Sequence, residues 1–322
     1  MTPSSVLVVK PSSLGDIVHT LPAVHFLKAT FRDADFFWIA NTEWTPLLQE
    51  NADLKEVIPF PRNQFRGATG IVKFLQWCRK ISDLKPDLVL DFQGLIRSAL
   101  IARSANGRRI LGLSDARETA GYHYHEQVKV DAGQHSVERY LQLARFAGAD
   151  ISGPLYFPLP KGKAIPSFDL PDRFIVLHPF ARGNAKSLTS GEIFEFTRLL
   201  APDPVIVAGR SNERFVVSKN AVSVVNRTDL SQLIWLLRRA SFIVSVDSGP
   251  MHIGAAITSQ LLSIHMWSDP RLVGPYNPDA WIWKDQQILQ VRTLDKQGRL
   301  KRSHSRPNPS QIARFVQERL LQ

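Results

Sequence analysis

The chain has 322 residues, of which 44% are hydrophobic and 21% charged, so it is a folded protein long enough for two domains of about 150 residues each. Its net charge of +11 favours a nucleic acid, an anionic membrane surface or an acidic substrate as partner. The single cysteine excludes a disulfide framework and a cysteine-rich metal site. No apolar run is as long as a membrane span, and the first residues lack the pattern of a signal peptide, so we expect a cytoplasmic protein.

The most informative stretch comprises residues 6–22. Its first four residues are apolar and predict a buried parallel strand, which a polar turn with Ser12, Ser13 and Gly15 follows. Apolar residues at spacings of three and four from Ile17 onward then predict a helix. In open α/β sheets ligands bind at such strand-to-helix turns. Asp16, at the start of the helix, is therefore either a carboxylate suited to the helix dipole or a carboxylate held at the mouth of an active site.

The alternation of strands and helices continues through the first half of the chain. The sequence predicts strands at 35–40, 56–61, 86–92 and 108–113 and helices at 20–30, 69–84 and 134–147, and the turn at 93–99 is predicted to enter a further helix. Asp33-Ala34-Asp35 has the Asp-x-Asp form that some glycosyltransferases use for a metal–nucleotide complex. Because it precedes a strand rather than following one, we interpret it as a surface turn and predict no metal site.

Four prolines in residues 158–172 predict a linker, which separates a domain at 1–160 from a second at 172–322. The second half repeats the α/β pattern, with strands predicted at 174–179, 204–209, 242–246 and 259–265 and helices at 191–201, 231–237, 253–257 and 310–320. We expect the last helix either to stay with the second domain or to pack back on the first. Residues 296–306 contain five basic residues and predict an exposed basic loop.

Several segments resemble glycosyltransferase family 9, the lipopolysaccharide heptosyltransferases, in the family's order from Val6 to about Tyr276. The segments are Lys10-Pro11-Ser12-Ser13-Leu14-Gly15-Asp16, His19-Thr20-Leu21-Pro22, Asp91-Phe92-Gln93-Gly94-Leu95-Ile96-Arg97-Ser98-Ala99, Gln134-His135-Ser136-Val137-Glu138-Arg139 and Asp247-Ser248-Gly249-Pro250-Met251-His252. The resemblance implies an α/β protein with two facing Rossmann-like domains of the GT-B type and an active cleft between them. The first domain is then the acceptor domain, and the second binds the nucleotide sugar.

The resemblance also assigns roles to individual residues. It implies that Asp16 is the catalytic base and that Lys186 stabilises the leaving nucleotide, since a lysine can offset the negative charge that grows there. The implied donor-binding residues are Ser12, Ser13, Gly15, Glu213, Asp247, Ser248, Gly249 and His252. The implied acceptor-binding residues are Arg62, Arg66, Arg97, Arg117 and His135, although His135 could equally be a helix-capping neighbour. Glu213 follows a predicted strand, where a carboxylate can accept both ribose hydroxyls.

The implied reaction is an inverting, metal-independent transfer of heptose from ADP-heptose to Kdo-lipid A, without a cofactor, at the inner face of the cytoplasmic membrane. Phe180, Ala181, Leu188 and residues 266–268 depart from the family pattern, which leaves open another sugar nucleotide or a small-molecule acceptor. A basic nucleic-acid-binding protein is the non-enzymatic alternative, but no helix-turn-helix, zinc-finger or RNA-binding signature supports it, and we expect no nucleic acid partner. A dehydrogenase is disfavoured because the first turn lacks Gly-x-Gly-x-x-Gly.

Overall fold

The computed structural model describes residues 2–166, 168–297 and 305–321. The chain divides into two compact units, Met1–Pro160 and Lys161–Gln322, and the division falls within the proline-rich stretch at 158–172. Most of the predicted basic loop at 296–306 lies outside the described residues.

The first unit is built on a sheet of parallel strands in the order β3-β2-β1-β4-β5-β6. This is the strand order of the Rossmann fold, and the order reverses direction between β1 and β4. Residues 6–9 of the central strand are completely buried, which explains their uninterrupted apolar sequence. The strands are β1 (Ser5–Val9), β2 (Asp35–Asn41), β3 (Glu56–Phe60), β4 (Leu88–Asp91), β5 (Arg109–Leu113) and β6 (Glu126–Val128).

Helices connect these strands and cover the sheet. The longest helix, α1 (Leu14–Thr30), continues without interruption through Pro22. It packs against the last helix of the unit, α4 (Ser136–Phe146), so residues of both helices lie beside the end of β1. The helices are α1 (Leu14–Thr30), α2 (Gly67–Ile81), α3 (Ile96–Ser104) and α4 (Ser136–Phe146).

The second unit repeats this architecture with the order β13-β12-β11-β10-β7-β8-β9, in which only the β12–β13 pair is antiparallel. The order reverses direction between β7 and β10, as it does between β1 and β4 in the first unit. The elements are β7 (Ile175–His178), α5 (Ser190–Leu199), β8 (Val205–Val207), β9 (Ala221–Ser223), α6 (Leu230–Arg239), β10 (Phe242–Val246), α7 (Gly249–Ile257), β11 (Leu261–Ile264), α8 (Pro270–Val273), β12 (Trp281–Lys284), β13 (Gln287–Gln290) and α9 (Pro309–Leu320).

The last helix, α9, packs against α5, and its residues Ile312, Ala313 and Val316 belong to the buried core of the second unit. Asn308 caps it, with its side chain accepting a hydrogen bond from the Ser310 N–H.

The α/β class and the two Rossmann-like units confirm the fold that the sequence predicts, but five short elements were not predicted: β6, β9, α8, β12 and β13. Two of these strands are only three residues long, and Glu126-Gln127-Val128 and Ala221-Val222-Ser223 at the sheet edges carry no apolar run. Edge strands need no such run, because only one side is paired and part of their surface stays in water. No helix in the described residues is long and apolar enough to cross a membrane.

Candidate active site

Asp16 lies in the first turn of α1, directly after the carboxyl end of β1. Its Oδ2 accepts hydrogen bonds from the Ser13 N–H at 3.0 Å and from the Ser13 hydroxyl at 2.6 Å, so one carboxylate oxygen closes the start of the helix. Its Oδ1 lies 3.4 Å from the hydroxyl of Tyr140, on α4. The side chain thus caps the helix with one oxygen and directs the other towards a tyrosine, which keeps the carboxylate in a fixed orientation.

A buried lysine, Lys10, is connected to this carboxylate through the hydroxyl of Tyr140. The Lys10 ammonium donates hydrogen bonds to the Tyr140 hydroxyl and to the Phe92 carbonyl, both at 2.8 Å, while only 2% of the residue is exposed. Burial by itself lowers the pKa of Lys10, but its interaction with the Tyr140 hydroxyl and the negative charge of Asp16 outweigh it and hold that pKa above its ordinary value. Burial also raises the pKa of Tyr140, so its hydroxyl stays protonated and can donate a hydrogen bond to Asp16. Lys10, Tyr140 and Asp16 therefore form a connected chain with a permanent positive charge at its buried end.

The neighbouring turn, between β4 and α3, is fixed by Asp91. This residue is fully buried, and its carboxylate oxygens accept from the Gln93 N–H at 2.8 Å, the Gly94 N–H at 3.2 Å and the Tyr124 hydroxyl at 2.8 Å. Burial raises the pKa of Asp91, and these hydrogen bonds oppose the rise. The turn is joined to that of β1, because the Gln93 side-chain carbonyl accepts from the Ser12 N–H at 3.2 Å. The two turns flank the point at which the strand order reverses.

The predicted acceptor-binding arginines do not all meet at one place. Arg62 and Arg97 line one cavity of the first unit together with Ser12. Arg117 lies in the loop after β5 and does not line that cavity. Its backbone N–H donates a hydrogen bond to the Gly94 carbonyl at 2.8 Å. Arg66 is also exposed outside the cavity and donates to the Asn63 side chain.

His135 occupies the N-cap position of α4. Its Nδ1 accepts a hydrogen bond from the Val137 N–H at 3.2 Å, and its ring packs edge-on against His19 at 4.8 Å. The helix-capping alternative is therefore present in the structure. The acceptor role itself stays a prediction.

In the second unit Lys186 and Asp247 form the central ion pair, with 2.7 Å between Nζ and Oδ2. The lysine follows β7 and the aspartate follows β10, so the pair joins the two loops at this unit's reversal of strand order. The ammonium also lies 4.9 Å from the ring centre of Trp267. Burial alone would raise the pKa of the Asp247 carboxyl; His265 and the Lys186 ammonium outweigh it and hold that pKa below its ordinary value.

Ser248 and Gly249 form the start of α7. Ser248 is the N-cap residue, but its hydroxyl makes no capping bond and instead lies 3.2 Å from Nδ1 of His178, at the end of β7. Burial lowers the pKa of His178 to about 4, so the ring is neutral at pH 7 and can exchange an ordinary hydrogen bond with Ser248. The first N–H groups of α7 point out of the helix, and they make an N-terminus suited to an anion. His252 is buried one turn further along the helix.

Glu213 lies in the loop after β8 and is exposed. The loop begins at Gly209, whose φ of +133° favours glycine and whose Cβ, if present, would lie 3.0 Å from Nε2 of His178. Glycine at this position therefore lets the chain turn closely over the end of β7, while Glu213 lies exposed further along the loop.

The sequence analysis did not identify three residues that hold the predicted site residues in place. Tyr140, His178 and Asp91 are buried polar groups that orient the predicted site residues, and each belongs to a segment predicted as a strand or helix. Lys10 and Asp91 did carry a signal, since both end an apolar strand with a charged residue, where a ligand site is expected. Among the described residues no group of three His, Cys, Asp or Glu side chains could hold a metal ion.

Comparison with known proteins identifies the family. Residues 75–304, more than two-thirds of the chain, match the sequence model of Glycosyltransferase family 9 (heptosyltransferase). Lipopolysaccharide heptosyltransferase 1 of Salmonella typhimurium is 29% identical over 298 residues, which cover 84% of this chain and 91% of that protein.

Solved structures show the same fold. E. coli heptosyltransferase WaaC with ADP superposes with a TM-score of 0.76 at 22% identity, and the match covers 98% of this chain and 99% of that one. The complex of WaaC with ADP-2-deoxy-2-fluoro heptose gives a TM-score of 0.75 over the same shares. The two Rossmann-like units, each with polar turns at its reversal of strand order, are those of a GT-B glycosyltransferase. The chain belongs to glycosyltransferase family 9, and it is an enzyme of the heptosyltransferase type.

Proposed function

We propose that the protein transfers a heptose from ADP-heptose to the Kdo-lipid A inner core during lipopolysaccharide biosynthesis. The observation that carries the proposal is that each unit has its own polar site at its reversal of strand order: an oriented carboxylate after β1 in the first, and a positively charged anion site after β7 and β10 in the second. The relatives support the substrates, since WaaC has been solved with ADP and with a fluorinated ADP-heptose, and the Salmonella relative is a heptosyltransferase 1.

In this proposal the first unit binds the acceptor and the second binds the donor. Asp16, as general base, takes the proton of the attacking acceptor hydroxyl. The hydroxyl oxygen forms a bond to the anomeric carbon on the face opposite the nucleotide, and the bond from that carbon to the diphosphate oxygen breaks, which inverts the configuration. Lys186 and the N-terminus of α7 stabilise the negative charge on the departing ADP, so the transfer needs no metal ion.

The neighbours of Asp16 fit this role. Ser13 and Tyr140 fix the carboxylate, so it need not reorganise when the acceptor arrives. Ser12 and Gly15 belong to the same turn, and we propose that they contact the donor together with Ser248, Gly249, Asp247, His252 and Glu213. Arg62, Arg66, Arg97, Arg117 and His135 are proposed to meet the acceptor.

The decisive test is a donor screen with purified protein, Kdo-lipid A and a set of sugar nucleotides, in which release of the nucleoside diphosphate is measured. We expect ADP release only with ADP-heptose and acceptor together, and the same rate in the presence of EDTA. Turnover with a different sugar nucleotide, or with a small acceptor alone, would favour the second candidate, a related glycosyltransferase of other specificity. The departures from the family pattern at Phe180 and Leu188 leave this candidate open.

We further propose that α2 holds the enzyme at the inner face of the cytoplasmic membrane. Ile71, Val72 and Leu75 are each more than half exposed on this helix. No acidic residue lies between Glu56 and Asp83, whereas five basic ones do: Arg62, Arg66, Lys73, Arg79 and Lys80. An exposed apolar stripe with only positive charges around it matches an anionic lipid surface.

Sedimentation with phosphatidylglycerol-containing vesicles tests this surface. We expect Leu75→Gln to reduce binding several-fold, and high salt to reduce it further. The matched control is Val216→Gln, which removes an equally exposed apolar side chain from the second unit. Equal loss of binding in both variants would contradict the assignment to α2.

A further inference from the structure

Asn41 is a buried amide without a partner. It ends β2, only 1% of its surface is exposed, and neither its Oδ1 nor its Nδ2 has a hydrogen-bond partner among the described residues. Its backbone N–H donates to the Pro11 carbonyl at 2.9 Å, which fixes the residue beside the turn that carries Asp16. Buried polar groups are nearly always paired, so an amide with two unpaired atoms beside the turn of Asp16 is a candidate contact for a bound ligand.

Asn41 is among the residues that line a cavity of ≈ 220 Å³. Arg62 and Arg97 line the same cavity, and neither guanidinium has a hydrogen-bond partner among the described residues. Glu118 also lines it, but its Oε2 accepts from the Ile96 N–H at 3.3 Å, so its charge is directed to the start of α3. The cavity therefore combines a neutral buried amide with two available positive charges.

These groups define the ligand's chemistry. The amide has both a donor and an acceptor, and a carboxylate or phosphate, which only accepts, would leave Oδ1 unpaired. A sugar hydroxyl can donate to Oδ1 and accept from Nδ2. The two arginines add an attraction for an acidic group on the same molecule. The volume is below the range of about 300–1,000 Å³ that is typical of larger ligands, and it suits a single sugar.

We propose that Asn41 determines acceptor specificity by binding a hydroxyl of an acidic sugar whose carboxylate lies on Arg62 and Arg97. The inference rests on the proposed function, since the acidic sugar is then the Kdo of the acceptor. Asn41 takes no part in bond making: it positions the acceptor beside Asp16 and rejects sugars that lack the hydroxyl, which would leave the amide unpaired.

Asn41→Leu separates this role from a structural one. Leucine has the branched shape and the number of heavy atoms of asparagine but no polar atoms, and the adjoining cavity can take up its larger volume. The side chain of Asn41 makes no hydrogen bond that the protein would lose. We expect the melting temperature of Asn41→Leu to equal or exceed that of the natural protein. The Michaelis constant for Kdo-lipid A should rise by about tenfold or more, while that for ADP-heptose stays the same. A lower melting temperature with unchanged Michaelis constants would overturn the proposal.

Asn41→Asp tests the charge of the ligand. An aspartate keeps an acceptor but repels a carboxylated sugar, so we expect a larger rise in the acceptor's Michaelis constant than in Asn41→Leu. The control is Asn51→Asp: Asn51 is another buried asparagine of the first unit with an unpaired Nδ2, but it does not line the cavity. Equal effects of the two aspartate variants on the Michaelis constant would also overturn the proposal.

A binding experiment distinguishes failure of this inference from failure of the proposed function. Free Kdo and its uncharged methyl ester are titrated into the protein without donor, and binding is followed by ligand-observed NMR. We expect Kdo to bind more tightly than the ester, and Asn41→Leu to weaken Kdo binding. If so, the inference stands even where heptose transfer is absent; if heptose is transferred but Asn41→Leu binds Kdo like the natural protein, the function stands and the inference fails.

Discussion

Lys186 and Asp247 are held 2.7 Å apart, at the reversal of strand order in the second unit. The pair places an ammonium group beside the N-terminus of α7, so two sources of positive potential occur together. A diphosphate that binds there would exchange the carboxylate for its own oxygens as the partner of Lys186. The ion pair thus keeps the lysine in position while no anion is bound.

Lys186→Ala is expected to lower the turnover number by about 100-fold, since one electrostatic contact to the developing charge contributes about 3 kcal/mol. The Michaelis constant for the acceptor should change little, because the acceptor is proposed to bind the other unit. Steady-state kinetics with each substrate varied in turn measures both quantities.

Two controls accompany this variant. Lys186→Ala leaves Asp247 as a partly buried carboxylate without its ammonium, so Lys186→Ala combined with Asp247→Asn shows how much of the loss comes from that unpaired charge. Arg117→Ala should have the opposite effect and raise only the acceptor's Michaelis constant. If Arg117→Ala affected the donor alone, and Lys186→Ala the acceptor alone, the assignment of substrates to the two units would have to be exchanged.

Asp16→Asn is expected to lower turnover by about 100- to 10,000-fold while ADP-heptose still binds, because the amide keeps the shape and removes the base. Isothermal titration with donor and a single-turnover assay measure the two effects. Ser13→Ala is the matched control, since it removes a hydrogen bond to the same carboxylate oxygen and leaves the base in place; we expect a loss below about tenfold. Turnover of Asp16→Asn close to that of the natural protein would show that Asp16 only caps the helix.

The support of Asp16 by Tyr140 can be tested with two tyrosine variants. Tyr140→Phe removes the hydroxyl that joins Lys10 to Asp16 and should lower turnover by about tenfold or more. Tyr124→Phe also removes a buried hydroxyl that donates to an aspartate, Asp91, and should lower the melting temperature to a similar extent. Its turnover should change by less than about threefold. Equal losses of turnover at equal losses of stability would mean that Tyr140 acts only on stability.

The sequence was sufficient for the parts of the fold that depend on local patterns. Apolar runs such as those at residues 6–9 and 242–246 predicted the central strands, because strands buried on both faces consist almost entirely of apolar residues. The polar turns after those strands located Asp16 and Ser248. The edge strands β6 and β9 were missed because their stability depends on pairing with a neighbour rather than on their own composition.

For the candidate site, the sequence predicted individual residues but not the contacts between them. The family resemblance selected Asp16, Lys186 and Ser248, but distances between segments far apart in sequence are needed to find the partners of those residues. Tyr140 lies 124 residues after Asp16, and no spacing rule relates the two. Asn41 gave no signal at all, since an asparagine at the end of a strand is ordinary and only its burial without partners is unusual.

The free energy of unfolding should fall as the pH decreases from 6.5 towards 4, because two histidines of the second unit are buried in the neutral form. Burial lowers the pKa of His178 and of His265 to about 4, against an ordinary 6.5. Between these values the unfolded chain binds a proton at each site and the folded protein does not, so stability is complete above pH 6.5 and is lost through the interval. Each histidine should contribute a slope of about 1.4 kcal/mol per pH unit, so the two together should give a slope of about 3 kcal/mol per pH unit.

Urea unfolding followed by tryptophan fluorescence at a series of pH values measures this slope. His178→Asn should reduce the slope of unfolding free energy against pH between pH 6.5 and 4.5 by about 1.4 kcal/mol per pH unit. His265→Asn should reduce it by the same amount independently, because the two rings have different hydrogen-bond partners. His178 contacts Ser248, whereas His265 contacts Ser263 and Ser268. The window ends at 4.5 because Asp247 and Asp269, whose pKa values lie below the ordinary one, add their own pH dependence in the same direction only at lower pH. An unchanged slope in His178→Asn would mean that this ring takes up its proton in the folded protein, and its hydrogen bond to Ser248 would then be that of a charged donor.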